Sequence, residues 1–273
     1  MAMRKSCKRK ISLAIAGILL LTACSTLDSA ENTESTELPK IIVGFDIYPP
    51  YYYEDKNGGV VGIDAELARE AFDRLGYQPE FVQIDWENKT ELVDSGSIDC
   101  VWGSFSIDGR EQQYNWTEPY LYSRQVIAVC EESDIQTLAD LEDCRVAVQS
   151  TTKPESMFLA GTDPRLPKLR EVISVQEREL IYSFLSKGYV DAIAAHEVSI
   201  ERYCADYDLH YRIIEEPLRV VGLGAAFSKN DSRGIEKQLS EVFRQMRDDG
   251  SLEEILAKYL DEPQRYLEVT PDA

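Results

Sequence analysis

The sequence predicts an α/β fold with two lobes, and three observations support that prediction. Short apolar strands alternate with amphipathic helices from residue 40 onward, a pattern typical of sheets with crossover helices. A short pattern also occurs twice, as GSID at 96–99 before an apolar strand and as GYVD at 188–191 before another. With 273 residues, the chain has enough length to give each lobe its own core.

The elements follow in order from residue 40. Each apolar run predicts a strand, and each amphipathic stripe between helix start and stop signals predicts a helix. The predicted strands are 41–45, 77–84, 98–102 and 145–149; the predicted helices begin at Asp64 (as N-cap, ending at Gly76), Glu87, the capping box 152–155, Ile235 and the capping box 251–254. The alternation favours parallel strands, whose ligand sites lie at their carboxyl ends.

The N-terminus reads as an export signal. Residues 1–10 carry five basic and no acidic residues, and residues 11–21 are apolar but too few for a bilayer span, which needs about 20. Residues 21–24 (LTAC) resemble the lipobox of bacterial lipoproteins, although an ordinary signal peptide could contain a chance cysteine. We therefore expect residues 1–23 to be removed and Cys24 to carry acyl chains, palmitate among them, at the extracytoplasmic face of the bacterial cell membrane.

Composition separates a spacer from the folded part and limits the partners. Residues 24–39 are rich in Ser, Thr and Glu with little to bury, which predicts a flexible spacer. The net charge is −20, and removal of residues 1–23 leaves −25. Because so acidic a surface repels polyanions, no nucleic-acid partner is expected.

One candidate anion site lies between residues 100 and 122. Arg110 follows a turn and comes shortly after the hydroxyls of Ser104 and Ser106, an arrangement that suits two parallel hydrogen bonds to a carboxylate or phosphate. Surrounding aromatic residues favour a pocket. The alternative is an arginine that is solvated or paired with Glu111 or Glu118.

A second candidate anion site is the helix start at Thr152. Unpaired N–H groups there, with the hydroxyls of Ser150 and Thr151, would attract a carboxylate. An ordinary helix cap explains the same residues equally well.

Cysteine and histidine usage predicts neither a metal nor a cofactor. Cys100 lies in an apolar strand and is expected to be a buried free thiol, whereas Cys130 and Cys144 could close a short loop, with the role of Cys204 open. The two histidines lack companions at ligand spacing.

Several segments together resemble the polar-amino-acid solute-binding proteins of ABC importers, bacterial extracellular family 3. The match runs from about residue 40 to 260 and is carried by residues 43–53 (VGFDIYPPYYY), 61–67 (VGIDAEL), 96–120, 188–194 and 250–251. It implies a type II periplasmic-binding-protein fold with two α/β lobes. Lobe 1 would comprise 40–128 and 223–273, and lobe 2 would comprise 129–222. Two hinge strands near 125–130 and 220–226 would let the lobes close on a ligand.

The resemblance also implies roles for individual residues. Arg110, Ser106 and the helix start at Thr152 would hold the ligand carboxylate, and a backbone carbonyl at Ser104 would help hold its ammonium. The aromatic walls would be Tyr48, Tyr51 and Trp86, although residues 48–51 could equally form a rigid turn.

One position departs from the family pattern. His196 occupies the place where the family commonly has an aspartate for the ligand ammonium, and a neutral imidazole supplies no negative charge. Either another acid compensates, with Glu197 and Asp46 as candidates, or the ligand is not an ordinary α-amino acid. An alignment slip or a plain strand-end histidine is the alternative.

We therefore predict a lipid-anchored, monomeric binding protein, not an enzyme. It would capture a small carboxylate, most simply an amino acid, between two lobes and deliver it to an ABC permease. A dehydratase-like enzyme on the same fold is one alternative, with Glu118, Glu197 or His196 as candidate general acids. A ligand-sensing lipoprotein that partners a membrane receptor is the other.

Overall fold

The fold is described for residues 37–268 of a computed structural model. Within these residues, thirteen strands are distributed over two large sheets and one small hairpin. They are β1 (Lys40–Phe45), β2 (Tyr53–Glu54), β3 (Val60–Val61), β4 (Gln78–Gln83), β5 (Cys100–Val101), β6 (Asn115–Trp116), β7 (Leu121–Cys130), β8 (Arg145–Gln149), β9 (Glu171–Val175), β10 (Ala192–His196), β11 (Tyr211–Ile213), β12 (Arg219–Leu223) and β13 (Ala226–Phe227).

Seven α-helices and three short 3₁₀ helices connect these strands within residues 37–268. The α-helices are α1 (Ile63–Arg74), α2 (Lys89–Asp94), α3 (Lys153–Ala160), α4 (Glu179–Ser186), α5 (Glu197–Tyr207), α6 (Ile235–Asp248) and α7 (Ser251–Leu256). The 3₁₀ helices are Trp86–Asn88, Leu138–Leu141 and Pro263–Tyr266. Within the described range, none of the helices has the length and apolar character needed to cross a bilayer.

The first sheet defines lobe 1. Its order is β4-β1-β5-β13-β6, with β1 parallel to both neighbours and β13 antiparallel to β5 and β6. Because β13 follows the strands of lobe 2 in the sequence, the chain passes through lobe 2 and then returns to add the last strand of the lobe 1 sheet.

The second sheet defines lobe 2, with the order β11-β7-β10-β8-β9. Strands β10, β8 and β9 are parallel, whereas β7 is antiparallel to β10 and β11. The predicted parallel pairing is therefore correct for the crossover units and wrong for β7 and β13. These two strands enter their sheets as the chain passes between lobes, not through a crossover helix.

Strands β7 and β12 pair antiparallel from Leu121–Leu223 to Gln125–Arg219 and carry the chain between the two sheets. The predicted hinge near 220–226 therefore pairs with residues 121–124, whereas residues 125–130, predicted as the other hinge, pair mainly with β10 and β11 inside the lobe 2 sheet. Two buried polar residues lie at this level of β7: Gln125 lines the cavity between the lobes, and Ser123 lies behind it.

Each lobe has its own apolar core. In lobe 1, the ring of Trp102 packs against Phe72, Tyr120 and Phe243, which joins the sheet to α1 and α6. In lobe 2, two buried clusters cover the two faces of the sheet, one centred on Ile193 and the other on Val148. These cores fix the strand ends that face each other.

Three predicted helix caps differ from the structure. Helix α1 begins after Gly62 (φ 124°), so Asp64 lies inside the first turn with its carboxylate turned toward the core. Thr152 is the N-cap residue of α3, but its hydroxyl donates to the carbonyl of Gln149 and makes no capping box. Similarly, α7 has Gly250 as its N-cap residue, and the hydroxyl of Ser251 accepts from Arg74.

The four cysteines in the described part of the chain are free thiols. Cys100 is fully buried, as predicted. A disulfide between Cys130 and Cys144 is not formed, because the two sulfurs face different partners. The sulfur of Cys130 contacts the carbonyl of Leu185, and that of Cys144 contacts the carbonyl of Asp140.

Candidate functional site

The carboxyl ends of β1, β5, β8 and β10 converge on a small cavity between the two lobes. Its walls combine aromatic rings, amides, hydroxyls and cations from both lobes and from β7. The polar and aromatic lining residues are Tyr48, Trp86, Ser104, Phe105, Ser106, Arg110, Gln125, Gln149, Thr151, Thr152, Lys153, Arg178 and His196.

Arg110 lines the cavity and bridges the two lobes. One guanidinium nitrogen lies 3.0 Å from the hydroxyl of Ser106, and the other donates to the carbonyl of Thr151 at 3.1 Å. The guanidinium lies 5.2 Å from the centre of the Phe105 ring. Burial lowers the pKa of Arg110, but a guanidinium remains charged at any physiological pH.

A second cation lies beneath this group. The ammonium of Lys89 is buried and donates to the carbonyl of Trp86 at 2.9 Å and to the hydroxyl of Thr151 at 2.7 Å. Burial, followed by repulsion from Arg110, lowers the pKa of Lys89 to about 7. Arg110 keeps its positive charge at this end of the cavity, and Lys89, which is partly protonated near pH 7, adds to that charge. Both groups favour an anion there.

His196 forms part of the opposite wall. Its Nδ1 lies 2.8 Å from the hydroxyl of Ser123, and its backbone N–H donates to the phenol of Tyr48 at 3.0 Å. Burial, and then the charge of Arg178, lowers the pKa of His196 to about 3. The imidazole is therefore neutral at physiological pH and supplies no charge for a ligand.

A hydrogen-bonded chain closes the third side of the cavity across the lobes. The carboxylate of Asp46 accepts from the amide of Gln149 at 2.8 Å and lies 3.6 Å from the guanidinium of Arg178. That guanidinium stacks on Tyr48, with its carbon 3.3 Å from the ring centre. With Lys89–Thr151 and Arg110–Thr151, these contacts hold the two lobes together in a closed arrangement.

Asp64 supports the lobe 1 wall from below. Its buried carboxyl accepts from the N–H of Ser104 at 2.6 Å and from the phenol of Tyr120 at 2.9 Å. Ser104 has φ 45°, a left-handed conformation that this hydrogen bond helps to fix. Burial dominates over both hydrogen bonds and raises the pKa of Asp64 to about 7.

This elevated pKa predicts a stability change with pH. Because the folded state keeps the Asp64 proton more tightly than the unfolded state does, the contribution is complete below about pH 4 and is lost as the pH rises through about 7. Between about pH 5 and about pH 8, titration of Asp64 should lower the free energy of unfolding of the wild-type protein by on the order of 3 kcal/mol. In Asp64→Asn, which cannot titrate there, this part of the decrease should be absent. Urea unfolding of both proteins at the two pH values measures this difference, and equal pH dependence would refute it.

Most of the predicted site residues come together at the cavity. Seven of them line it: Arg110, Ser106, Ser104, Thr152, His196, Tyr48 and Trp86. Tyr51 lies behind the wall, where its ring packs edge-on against His196 and its hydroxyl contacts Ser123 at 3.1 Å. Asp46 lies outside the lining and binds protein groups. Glu197 pairs with Arg124 at 2.7 Å on another surface.

Several lining residues were missed from the sequence. Gln149 ends a buried apolar strand, so a polar residue at the carboxyl end of that strand was an available signal. Arg178 in the lining and Lys89 directly behind it gave no such signal, because each is surrounded in the sequence by other charged and polar residues, a pattern typical of solvated surface. Only the fold turns these two cations toward the interior.

The family model of the bacterial extracellular solute-binding proteins, family 3, matches residues 41–262. The chain is 30% identical over 264 residues to the histidine-binding periplasmic protein of Salmonella typhimurium strain LT2, which covers 93% of this chain and 97% of that protein.

Solved structures agree on the fold. The substrate-binding protein of an ABC uptake transporter from Streptococcus pneumoniae with bound histidine superposes with a TM-score of 0.76 at 23% identity, over 82% of this chain and 93% of that one. An ancestral amino acid-binding protein, a precursor of cyclohexadienyl dehydratase, superposes with a TM-score of 0.70 at 25% identity. The match covers 81% of this chain and 95% of that one. The chain belongs to the bacterial extracellular solute-binding proteins, family 3.

Proposed function

We propose that this protein captures a small carboxylate, most simply an amino acid, in the cavity between its lobes and delivers it to an ABC permease. The observation that carries the proposal is the convergence of Arg110, Ser106 and Thr152 at one end of a closed interlobe cavity. Charge-assisted hydrogen bonds from a planar guanidinium suit a carboxylate. The family membership points to the same class of solute.

In this proposal, Arg110 and the hydroxyl of Ser106 bind the carboxylate from lobe 1. The N–H of Thr152 and the hydroxyl of Thr151, which accepts from Lys89, approach it from lobe 2. Because the carboxylate contacts both lobes, its binding favours the closed arrangement over an open one. The rings of Tyr48 and Trp86 cover the apolar part of the ligand, and the closed form then docks on the permease.

The proposal includes membrane tethering. Residues 1–36, which contain the signal sequence, Cys24 and most of the spacer, lie outside the described residues. The lipobox-like sequence at 21–24 supports acylation of Cys24, and the spacer would hold the two lobes near the extracytoplasmic membrane face. We further propose a monomer with the predicted lobe 1 at 40–128 and 223–273 and lobe 2 at 129–222, except that residues 121–128 belong to lobe 2 with the rest of β7.

The three candidate general acids favour binding over catalysis. Glu118 forms an exposed ion pair with Arg244 at 2.8 Å, and Glu197 is paired with Arg124. His196 lines the cavity, but its depressed pKa makes its conjugate acid too scarce at neutral pH for efficient proton donation.

A thermal-shift screen of the full-length protein tests this function. A ligand that binds only the folded state raises the melting temperature, by several degrees at a concentration of about 100 times its Kd. We expect at least one amino acid or related carboxylate to do so and the bound compound to be recovered unchanged. If the ligand is an amino acid, its α-carboxamide, which lacks the carboxylate for Arg110, should have no effect. Silence from every carboxylate, or chemical conversion of the bound one, would contradict the proposal.

A further inference from the structure

The charges of the cavity are unbalanced. Among the residues that the structure describes, the cavity lining contains the cations Arg110, Lys153 and Arg178 and no carboxylate. Lys89 lies directly behind the lining, 4.9 Å from the ring of Trp86. A zwitterionic ligand would place its ammonium among these cations without a facing counter-charge, and such burial is costly.

The nearby acids are already engaged by protein groups. Asp46 accepts from Gln149 and lies beside Arg178, so its charge is shared within the wall. Asp64 lies behind Ser104 and accepts from its N–H. Glu197 pairs with Arg124 on a different surface, and none of the three lines the cavity.

Arg178 is positioned to bind a second anionic group. Its side chain is 9% exposed, and its guanidinium stacks on Tyr48 while Asp46 approaches only to 3.6 Å. The buried Nε of Arg178 has no hydrogen-bond partner within the described residues. A carboxylate that reached this guanidinium would give the buried Nε–H a partner and would add a second, closer counter-charge to that of Asp46.

Two amide oxygens complete the wall. The amide nitrogen of Gln149 donates to Asp46 and to the carbonyl of Gln176, which fixes the orientation of the amide and leaves its Oε1 without a partner in the described chain. The buried Oε1 of Gln125 also lacks a partner there. Both oxygens accept hydrogen bonds, so they suit a hydroxyl or amino substituent between two acidic groups.

We propose that the ligand of this cavity is a small dicarboxylate, with one carboxylate held by Arg110 and the other by Arg178. This inference rests on the proposed function, because it assumes a carboxylate at Arg110. It narrows the solute class from amino acids in general to molecules with two acidic groups, with or without an amino group. Neutral and basic amino acids lack the second acidic group.

The test compares each acid with its own carboxamide by calorimetric titration of the full-length protein. Glutamate and glutamine differ in one terminal group at nearly equal size, as do aspartate and asparagine, while glutarate and succinate lack the amino group. We expect the best dicarboxylate to bind at least about ten-fold more tightly than its carboxamide and than histidine or arginine. Comparing the affinities of glutamate and aspartate with those of glutarate and succinate then shows whether the bound dicarboxylate carries an amino group.

Arg178 variants assign the preference to its guanidinium. In Arg178→Gln we expect the ratio of acid to carboxamide affinity to fall to about one, and in Arg178→Lys to an intermediate value, because the charge remains without the planar fork. Thermal unfolding verifies that each variant folds. Arg170→Gln is the matched control, since Arg170 is exposed, lies on lobe 2 and pairs with Asp143 away from the cavity.

The inference is overturned if a monocarboxylate amino acid binds as tightly as every dicarboxylate, or if folded Arg178→Lys keeps the full preference. If such an amino acid binds and Arg110→Ala abolishes its binding, the proposed function stands without this inference. If no carboxylate binds, both are refuted.

Discussion

Replacement of Arg110 by alanine is expected to weaken carboxylate binding by at least about 100-fold, because the ligand then loses a buried charged partner. The variant also loses the contact between Arg110 and the carbonyl of Thr151, so closure around a ligand becomes less favourable. The fold should persist, because the lobe 1 core around Trp102 does not include this side chain. Calorimetric titration with the best ligand of the wild-type protein measures the effect.

The matched control for Arg110→Ala is Arg244→Ala. Arg244 lies on α6 of lobe 1 and forms exposed ion pairs with Glu118 and Glu241. Exposed pairs contribute about 1 kcal/mol or less to stability, and this one lies outside the cavity, so the control should bind normally. Unchanged affinity in Arg110→Ala would show that the carboxylate is held elsewhere.

Replacement of Cys24 by serine is expected to release the protein from membranes or to block its processing. The reason is chemical, since a serine hydroxyl could not replace the thiol to which the acyl chains would be attached in the proposed lipoprotein, and the remaining apolar run is too short for a bilayer span. Membrane fractionation of bacteria that produce either protein, combined with the mass of the mature N-terminus, measures both effects. Normal processing with full membrane retention would rule out acylation at this residue.

The matched control for that experiment is Cys7→Ser. Cys7 lies among the basic residues of the predicted signal and would be removed with it, so this change should leave both processing and membrane association unaltered.

The helices and strands could be predicted from the sequence because the spacing of apolar residues and the glycines that end helices are local signals. The strand 41–45 and the helix ending before Gly76 are examples. The antiparallel direction of β7 and β13 could not be predicted from the sequence, because it depends on how the chain passes between the lobes. Asp64 shows the same limit, since its hydrogen bond to Ser104 joins residues that are distant in the sequence.

The candidate site divides in the same way. Arg110 and Ser106 are close in the sequence, so a turn with an arginine behind it could be recognised directly. The groups that make contacts between the lobes could not be recognised. Gln149 and Arg178 are each more than one hundred residues from Asp46 in the sequence and contact it across the interlobe space. The charge balance of the cavity therefore emerged only from the fold.

The most direct test of the account is a crystal structure of the protein with the carboxylate that gives the largest thermal shift. The account predicts density between the lobes, with a carboxylate oxygen about 2.7–2.9 Å from the guanidinium of Arg110 and the ligand in contact with Thr151 or Thr152. A ligand bound outside this cavity, or one whose carboxylate lies away from Arg110, would contradict the account.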